Sequence, residues 1–505
     1  MTAQSDLENT VKVDPIKDYL LVQDSGEIGL IPVPAADPSD PLNWPRWRRW
    51  TILALLSLWF AACLLAQSYL SNIMPSLTAE WPHESSSNIS LLITIITPVC
   101  APSSLLFVAL FNSFGRRLPL LLANSILLAS LIWAACATSY SSFLGARVLQ
   151  AIGTSPSDAI IYMLIQDISF IHERGVIMGV VLNCGYALFY ILCISLPYMT
   201  TTPAHAGPYY VFIGMIVLCI LGFYFIMPET QYDRISNPPA AAYMTRQQHR
   251  ELKDALKDTP YPLAIQLRLW SGPAAGREGH ILDIFHRIAY LAFDWRIWWC
   301  GLLNTTITGG MVAYTTYFAE LLVSPPWSWP GSNIGLINLT GIFLAVWNWI
   351  FLGYGSDKLL IYMAKRSGGH TKPQHRLITL ILPVCFGIAG LVGFGGLAEH
   401  YLNPHHHSQP HWFSLVVVHC LILMAFAGTL EVTFTYMISQ TSAADALAAM
   451  TLVAIIRGDV SFGMSYGVDG FVAKCGYLVS FGVYGALLGV FGLMGVVVYS
   501  RGGKK

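Results

Sequence analysis

SFLGARVLQAIGTSPSDAIIYMLIQD, residues 142–167, is an apolar run long enough to cross a bilayer, yet it carries an arginine and an aspartate. A transmembrane helix needs about 20 predominantly apolar residues. Arg147, Gln150, Thr154 and Asp158 are separated by 3, 4 and 4 residues. At about 100° per residue they fall on one stripe of a helix otherwise filled with Ile, Leu and Ala. A charge at the bilayer centre costs at least about 2.5 kcal/mol, so such a stripe faces water, a ligand or another polar helix. The expectation is a helix lining an internal cavity. The alternative is that Arg147 and Asp158 each pair with a neighbouring helix and simply hold a bundle together.

The flanking sequence repeats the apolar run, mostly without charges. Six runs cover roughly 51–72, 89–111, 118–138, 142–167, 176–198 and 209–227, and six more cover 297–322, 334–354, 375–397, 412–438, 446–468 and 476–499. The expected fold is an all-α membrane protein with twelve transmembrane helices in two six-helix bundles. Its parts are a tail (1–50), a first bundle (51–227), a linker rich in proline and charge (228–296), a second bundle (297–499) and a short C-terminal tail (500–505). Two related halves around a midplane site are the plan of secondary transporters.

All but three of the 28 Lys and Arg residues lie in the tails or in alternate gaps between these runs, so they share one side. That bias places both tails and the linker in the cytoplasm. Lys474 falls in an opposite gap, whereas Arg147 and Arg457 sit inside runs and need another explanation.

Only 11% of residues are charged and 54% are hydrophobic, against about 25% charged in an ordinary soluble domain. A water-soluble surface cannot be built from so few charges, and zero net charge speaks against a nucleic-acid partner. The first run starts only near Thr51, which does not fit a cleavable signal peptide. The ten cysteines lie in or beside apolar runs without paired spacing and read as small buried hydrophobes. The histidine-rich loop 400–412 lacks a fixed ligand spacing, so no metal and no cofactor is expected. No phosphate loop, HExxH or nucleophile elbow appears, which removes an ATP motor and the common hydrolases.

Other spans carry polar groups of their own. The eleventh has Arg457, Ser461 and Ser465 on one face, with Asp459 off that stripe. In the tenth, Glu431 is the lone acid, with Thr429, Thr433 and Thr435 around it. A carboxyl group in low dielectric is brought within reach of protonation near neutral pH, which makes Asp158 and Glu431 the candidates for proton coupling. Glu431 as a structural, hydrogen-bonded acid is the competing reading. Gln67, Asn183, Asn304, Thr308, Thr315 and Asn348 join Arg147, Gln150, Thr154 and Arg457 as candidate cavity residues, and Tyr314, Tyr317, Trp347 and Trp349 are candidates for stacking on a ligand.

Several motifs in order resemble the major facilitator superfamily, and more closely its fungal drug:proton antiporter branch. DPSDPLNWPRWRRW (Asp37 to Trp50) is similar to the entry segment of that branch, and RVLQAIG, from Arg147, to its fourth-span RxxQGxG motif. QDISFIHERGVIMG from Gln166, MPETQYDR from Met227, RSGGHTKPQHRL from Arg366 and IIRGDVSFGMSYG from Ile455 resemble its other signatures. The resemblance implies gating loops after the second and eighth spans, here Asn112, Gly115, Arg116 and Arg117 with Asp167 from the end of the fourth span, then Gly353, Asp357 and Lys358. The family's GxLxDRxGRR reads VALFNSFGRR here, so Asn112 and Ser113 replace the Asp and Arg of the latch. Asn112 keeps an oxygen for a helix N-terminus, and Asp167 is available to an arginine. The fifth span, NCGYALFYILCISLP from Asn183, lacks the antiporter Gly-Pro pair, and Ser439 replaces the branch's acid at the end of the tenth.

The expected function is proton-coupled export of small amphipathic organic molecules such as a drug, toxin or fungal secondary metabolite. The alternatives are import of a small amine or nutrient, and a transport-inactive sensor. The expected partners are the bilayer, a small organic substrate and protons, with the chain monomeric in the plasma membrane or, alternatively, the vacuolar membrane.

Overall fold

The computed structural model describes residues 30–501 apart from residue 31 and residues 200–205, 233–243, 257–267, 269–279, 324, 326, 356–357, 360–372, 403–411 and 442. The described chain is helical throughout, and nine of its helices are long and apolar enough to cross a membrane. Three further spans differ from a straight apolar helix. The fourth is split into Tyr140–Thr154 and Ser157–Ile168. Pro156 lies at the break, where it offers no N–H and its ring crowds the preceding turn. The seventh, Trp295–Val323, is rich in Thr and Gly. The eighth passes from a 3-10 helix (Gly331–Asn338) through an α segment (Leu339–Trp347) into a π-helical turn (Asn348–Gly355).

The twelve spans form two six-helix bundles, each around its own apolar core. Trp59, Phe143, Tyr209 and Phe212 anchor the first, and Trp299, Phe394, Tyr436 and Phe481 the second. The halves meet where side chains are small. A Cβ on Gly458 of the eleventh span would stand 3.0 Å from Ala101 Cβ and 3.1 Å from Thr97 O of the second. At the basic-free end the fifth span lies against the eighth. There Asn338 Nδ2 donates to Asn72 Oδ1 at 3.4 Å and Tyr198 Oη to Asn333 Oδ1 at 3.0 Å.

Among the described residues, the segment between the bundles contributes two short helices. Arg246–Ala255 opens on a capping box formed by Thr245 and Gln248, and it docks on the N-terminal segment through His249 Nε2 and Asn43 Oδ1 at 3.1 Å. His280–Leu291 packs against the second and eleventh spans, its Ile288 and Leu291 joining Val108 and Ala109 in one cluster. It therefore straddles both halves at the basic end.

Candidate functional site

Between the bundles lies a cavity of about 260 Å³. Aromatic rings, among them Phe60, Phe189, Tyr190, Phe318, Phe426 and Phe434, share its wall with aliphatic side chains and with many polar groups, all of them neutral apart from His419 and Arg457. Of the candidates named from sequence, Gln67, Thr308, Thr315 and Arg457 line it.

The stripe on the fourth span does something else. Arg147 is fully buried and donates to Leu92 O at 3.0 Å, Ala66 O at 2.6 Å, Gln67 O at 3.2 Å and Gln150 Oε1 at 3.0 Å. Gln150 Nε2 adds a bond to Ala66 O at 3.1 Å, and Thr154 Oγ1 donates back to Gln150 O. Ala66 and Gln67 precede the point where the first span tightens into a 3-10 turn (Tyr69–Ile73), and Leu92 precedes the junction at Ile95 in the second. Carbonyls at such ends lack an intrahelical donor, and the guanidinium fork supplies it. The expectation that Arg147, Gln150 and Thr154 line the cavity is thus replaced by the alternative: they tie three helices together.

Other candidates are also absent from the described wall. Asn304 donates to Cys300 O and to Thr433 Oγ1 at 2.8 Å, joining the seventh and tenth spans. Asn183 bonds within its own helix, to Gly179 O. Asn348 is buried in the π turn, and its Oδ1 has no partner among the described residues. Trp347 stacks on Phe351 rather than on the cavity. Glu431 is exposed on the next face from the cavity row Leu423, Phe426, Leu430 and Phe434. Asp158 follows the break in the fourth span, and its side chain lies outside the described residues, as do Asp357 and most of the histidine-rich loop, while Gly353 falls in the π-helical turn.

Residues 56–465 match the family model of the Major Facilitator Superfamily. The chain belongs to that superfamily. It is similar to an uncharacterized MFS-type transporter of Schizosaccharomyces pombe, 22% identical over 439 residues that cover 76% of this chain and 73% of the relative. The MFS-type transporter atr4 of Stereocaulon alpinum is 25% identical over 429 residues, 84% of this chain and 72% of that one. The xylose transporter of E. coli shares the fold, with a TM-score of 0.58 at 15% identity over 88% of this chain and 97% of that structure. The protein is therefore a multi-pass secondary transporter, a class that is not enzymatic.

The facilitator's degenerate loop after the second span is held by the first half and by the segment that follows it. Gly115 has φ +86°, a left-handed conformation that favours glycine, and a Cβ there would stand 2.5 Å from Glu229 Oε2. Glu229 caps the third span by accepting from the backbone N–H of Arg116 at 2.8 Å and of Arg117 at 3.2 Å. Arg116 Nε donates to Asp167 at 3.2 Å, and its Nη1 donates to Phe111 O and Asn112 Oδ1. Asn112 thus accepts from Arg116 of its own half, which corrects the expectation of an oxygen held out to a helix N-terminus. Arg117 lies over the Tyr224 ring and donates to Tyr224 O and Arg268 O. Lys358, in the equivalent loop of the second half, is exposed.

Sequence reasoning missed His419, whose ring lies in the cavity wall, and the Asn72 and Asn338 pair. Both asparagines sit near the ends of apolar runs, where a polar residue reads as an interface group. A lone histidine in VVVHCLILM carries no periodic signal at all.

Proposed function

We propose that this transporter exports small amphipathic organic molecules in exchange for protons. The observation that carries the reading is the cavity wall: aromatic and aliphatic side chains interspersed with hydrogen-bonding groups and the Arg457 cation suit a solute with an apolar body and a polar end. A volume of about 260 Å³ lies at the low end of ordinary ligand pockets, roughly 300–1,000 Å³, which favours small solutes. Export and proton exchange are supported by the motifs resembling the fungal antiporter branch. The working site is the plasma membrane, with both tails in the cytoplasm as the basic residues require.

In this reading the halves rock around the cavity, and protonation of Asp158 or Glu431 biases the two states. The contacts of Asn72 with Asn338 and of Tyr198 with Asn333 close the outer face and part when it opens. Cells producing the protein are expected to resist a toxic substrate. Increased sensitivity would instead mark an importer.

A further inference from the structure

We propose that Arg457 binds the substrate in this cavity and selects organic anions, solutes whose apolar body ends in a carboxylate, over solutes with a neutral or ammonium end. The proposal rests on the transport reading and names the substrate class of its cavity.

Arg457 is the only Arg or Lys in the described wall, and no Asp or Glu lines the cavity among the described residues. Its direction follows from the helix that carries it. Met450, Ala454, Arg457 and Ser461 of the eleventh span all border the cavity, and their spacing of 4, 3 and 4 residues puts them on one face. Arg457 is partly exposed, in contrast to Arg147, which is fully buried with its fork on the carbonyls of Leu92, Ala66 and Gln67. A guanidinium carries five N–H donors in one plane, enough to hold a carboxylate by two parallel bonds beside a partner from the protein.

The rest of the wall has two sides. Arg457 stands on the seam between the second and eleventh spans, where its neighbour Gly458 meets Ala101 and Thr97. Hydroxyls on that seam spend their hydrogens on their own helices: Thr97 Oγ1 donates to Thr94 O at 2.8 Å, Ser104 Oγ to Ala101 O at 2.7 Å and Ser461 Oγ to Gly458 O at 3.0 Å. Donors for a ligand on this side therefore come from the guanidinium. Away from the seam, Tyr190 of the fifth span packs with Leu344 of the eighth and Leu423 of the tenth, and Tyr186 and Phe189 join that cluster. Tyr186, Phe189, Tyr190 and Leu423 all line the cavity. A solute that lays its apolar body on the fifth and tenth spans thus turns its charged end towards Arg457. Apolar surroundings screen that attraction only weakly, and they make an ammonium group at the same place costly.

The test uses three soluble probes of the same length: 3-phenylpropanoate, 3-phenylpropanamide and 3-phenylpropylamine, which at neutral pH end in an anion, a neutral amide and an ammonium group. Binding is measured by calorimetry on the detergent-purified full-length protein. The native protein is expected to bind the carboxylate at least about tenfold more tightly than the amide, the worth of a hydrogen bond to a charged group, and the amine more weakly still. Arg457→Gln keeps an N–H donor and removes the charge. It is expected to weaken carboxylate binding at least about tenfold while amide binding changes by less than about threefold. Arg457→Lys keeps the charge without the fork, so it gives an intermediate loss and serves as the test if Arg457→Gln does not fold. Equal native affinities for carboxylate and amide, a preference for the amine, no binding of any probe, or a carboxylate affinity indifferent to both substitutions overturns the proposal. Proton-driven flux in vesicles combined with indifferent probe binding would retain the transport reading while rejecting Arg457. Discrimination between the probes without any flux would do the reverse.

Discussion

Arg147 shows how a buried charge is made tolerable in an apolar bundle: its donors meet carbonyls that irregular helix ends have left open. Arg147→Met is expected to destabilise the protein by about 1–3 kcal/mol for each carbonyl stripped of its donor. Arg147→Lys should not restore the loss, since a point charge cannot span the fork. Thermal unfolding of the purified protein measures this, and an unchanged transition temperature with lost transport would return Arg147 to the translocation path. The stripe itself was legible in the spacing. Periodicity reports which residues share a face, though, and is silent on whether that face meets a cavity or a neighbour's backbone. For the same reason Gln67 and Thr308 were found and His419 was not, because a single buried polar residue acquires meaning only from the atoms around it.

Elements were legible to within their regular parts. Apolar length marks a span, but the fourth was expected to run unbroken through Pro156, and the 3-10 turn at Tyr69–Ile73 and the π turn at Asn348–Gly355 depend on partners from other helices. Helix ends carry two predictions. Glu229 is the cap of the third span, so Glu229→Ala should cost about 0.5–2 kcal/mol, again read by thermal unfolding. At the outer face, a Cβ on Gly335 would stand 2.6 Å from Cys193 O, a backbone atom that cannot swing aside. Gly335→Val is expected to push the fifth and eighth spans apart. Cys193, fully buried in the closed arrangement, should then react faster with an impermeant maleimide applied from outside. Equal labelling rates in the variant and the native protein would show that this contact does not hold the face shut.

At the scale of the whole molecule, the two bundles and the basic side follow from apolar length and charge placement, whereas the two helices between the bundles were hidden by proline and polar composition. The docked helix Arg246–Ala255 adds a pH dependence. His249 is pushed down to about 4, first by burial and then by Lys253 and Arg49. An undocked histidine titrates near 6.5, so the released segment binds more protons than the docked one as pH falls from about 6.5 towards about 4. Docking is expected to weaken across that window and to be level from about 6.5 up to about 8, where Lys253, pushed down to about 8 chiefly by burial, begins to titrate in its turn. Hydrogen exchange of residues 246–255 should lose protection as pH falls, and His249→Gln should flatten the profile. The central claim, proton-coupled passage through the cavity, is tested by uptake of a radiolabelled small aromatic carboxylate into inverted vesicles under an imposed pH gradient. The account predicts accumulation that a protonophore abolishes and that Asp158→Asn or Glu431→Gln reduces at least about tenfold, more than 1.4 kcal/mol of coupling. Gradient-driven uptake unchanged in both variants would contradict it.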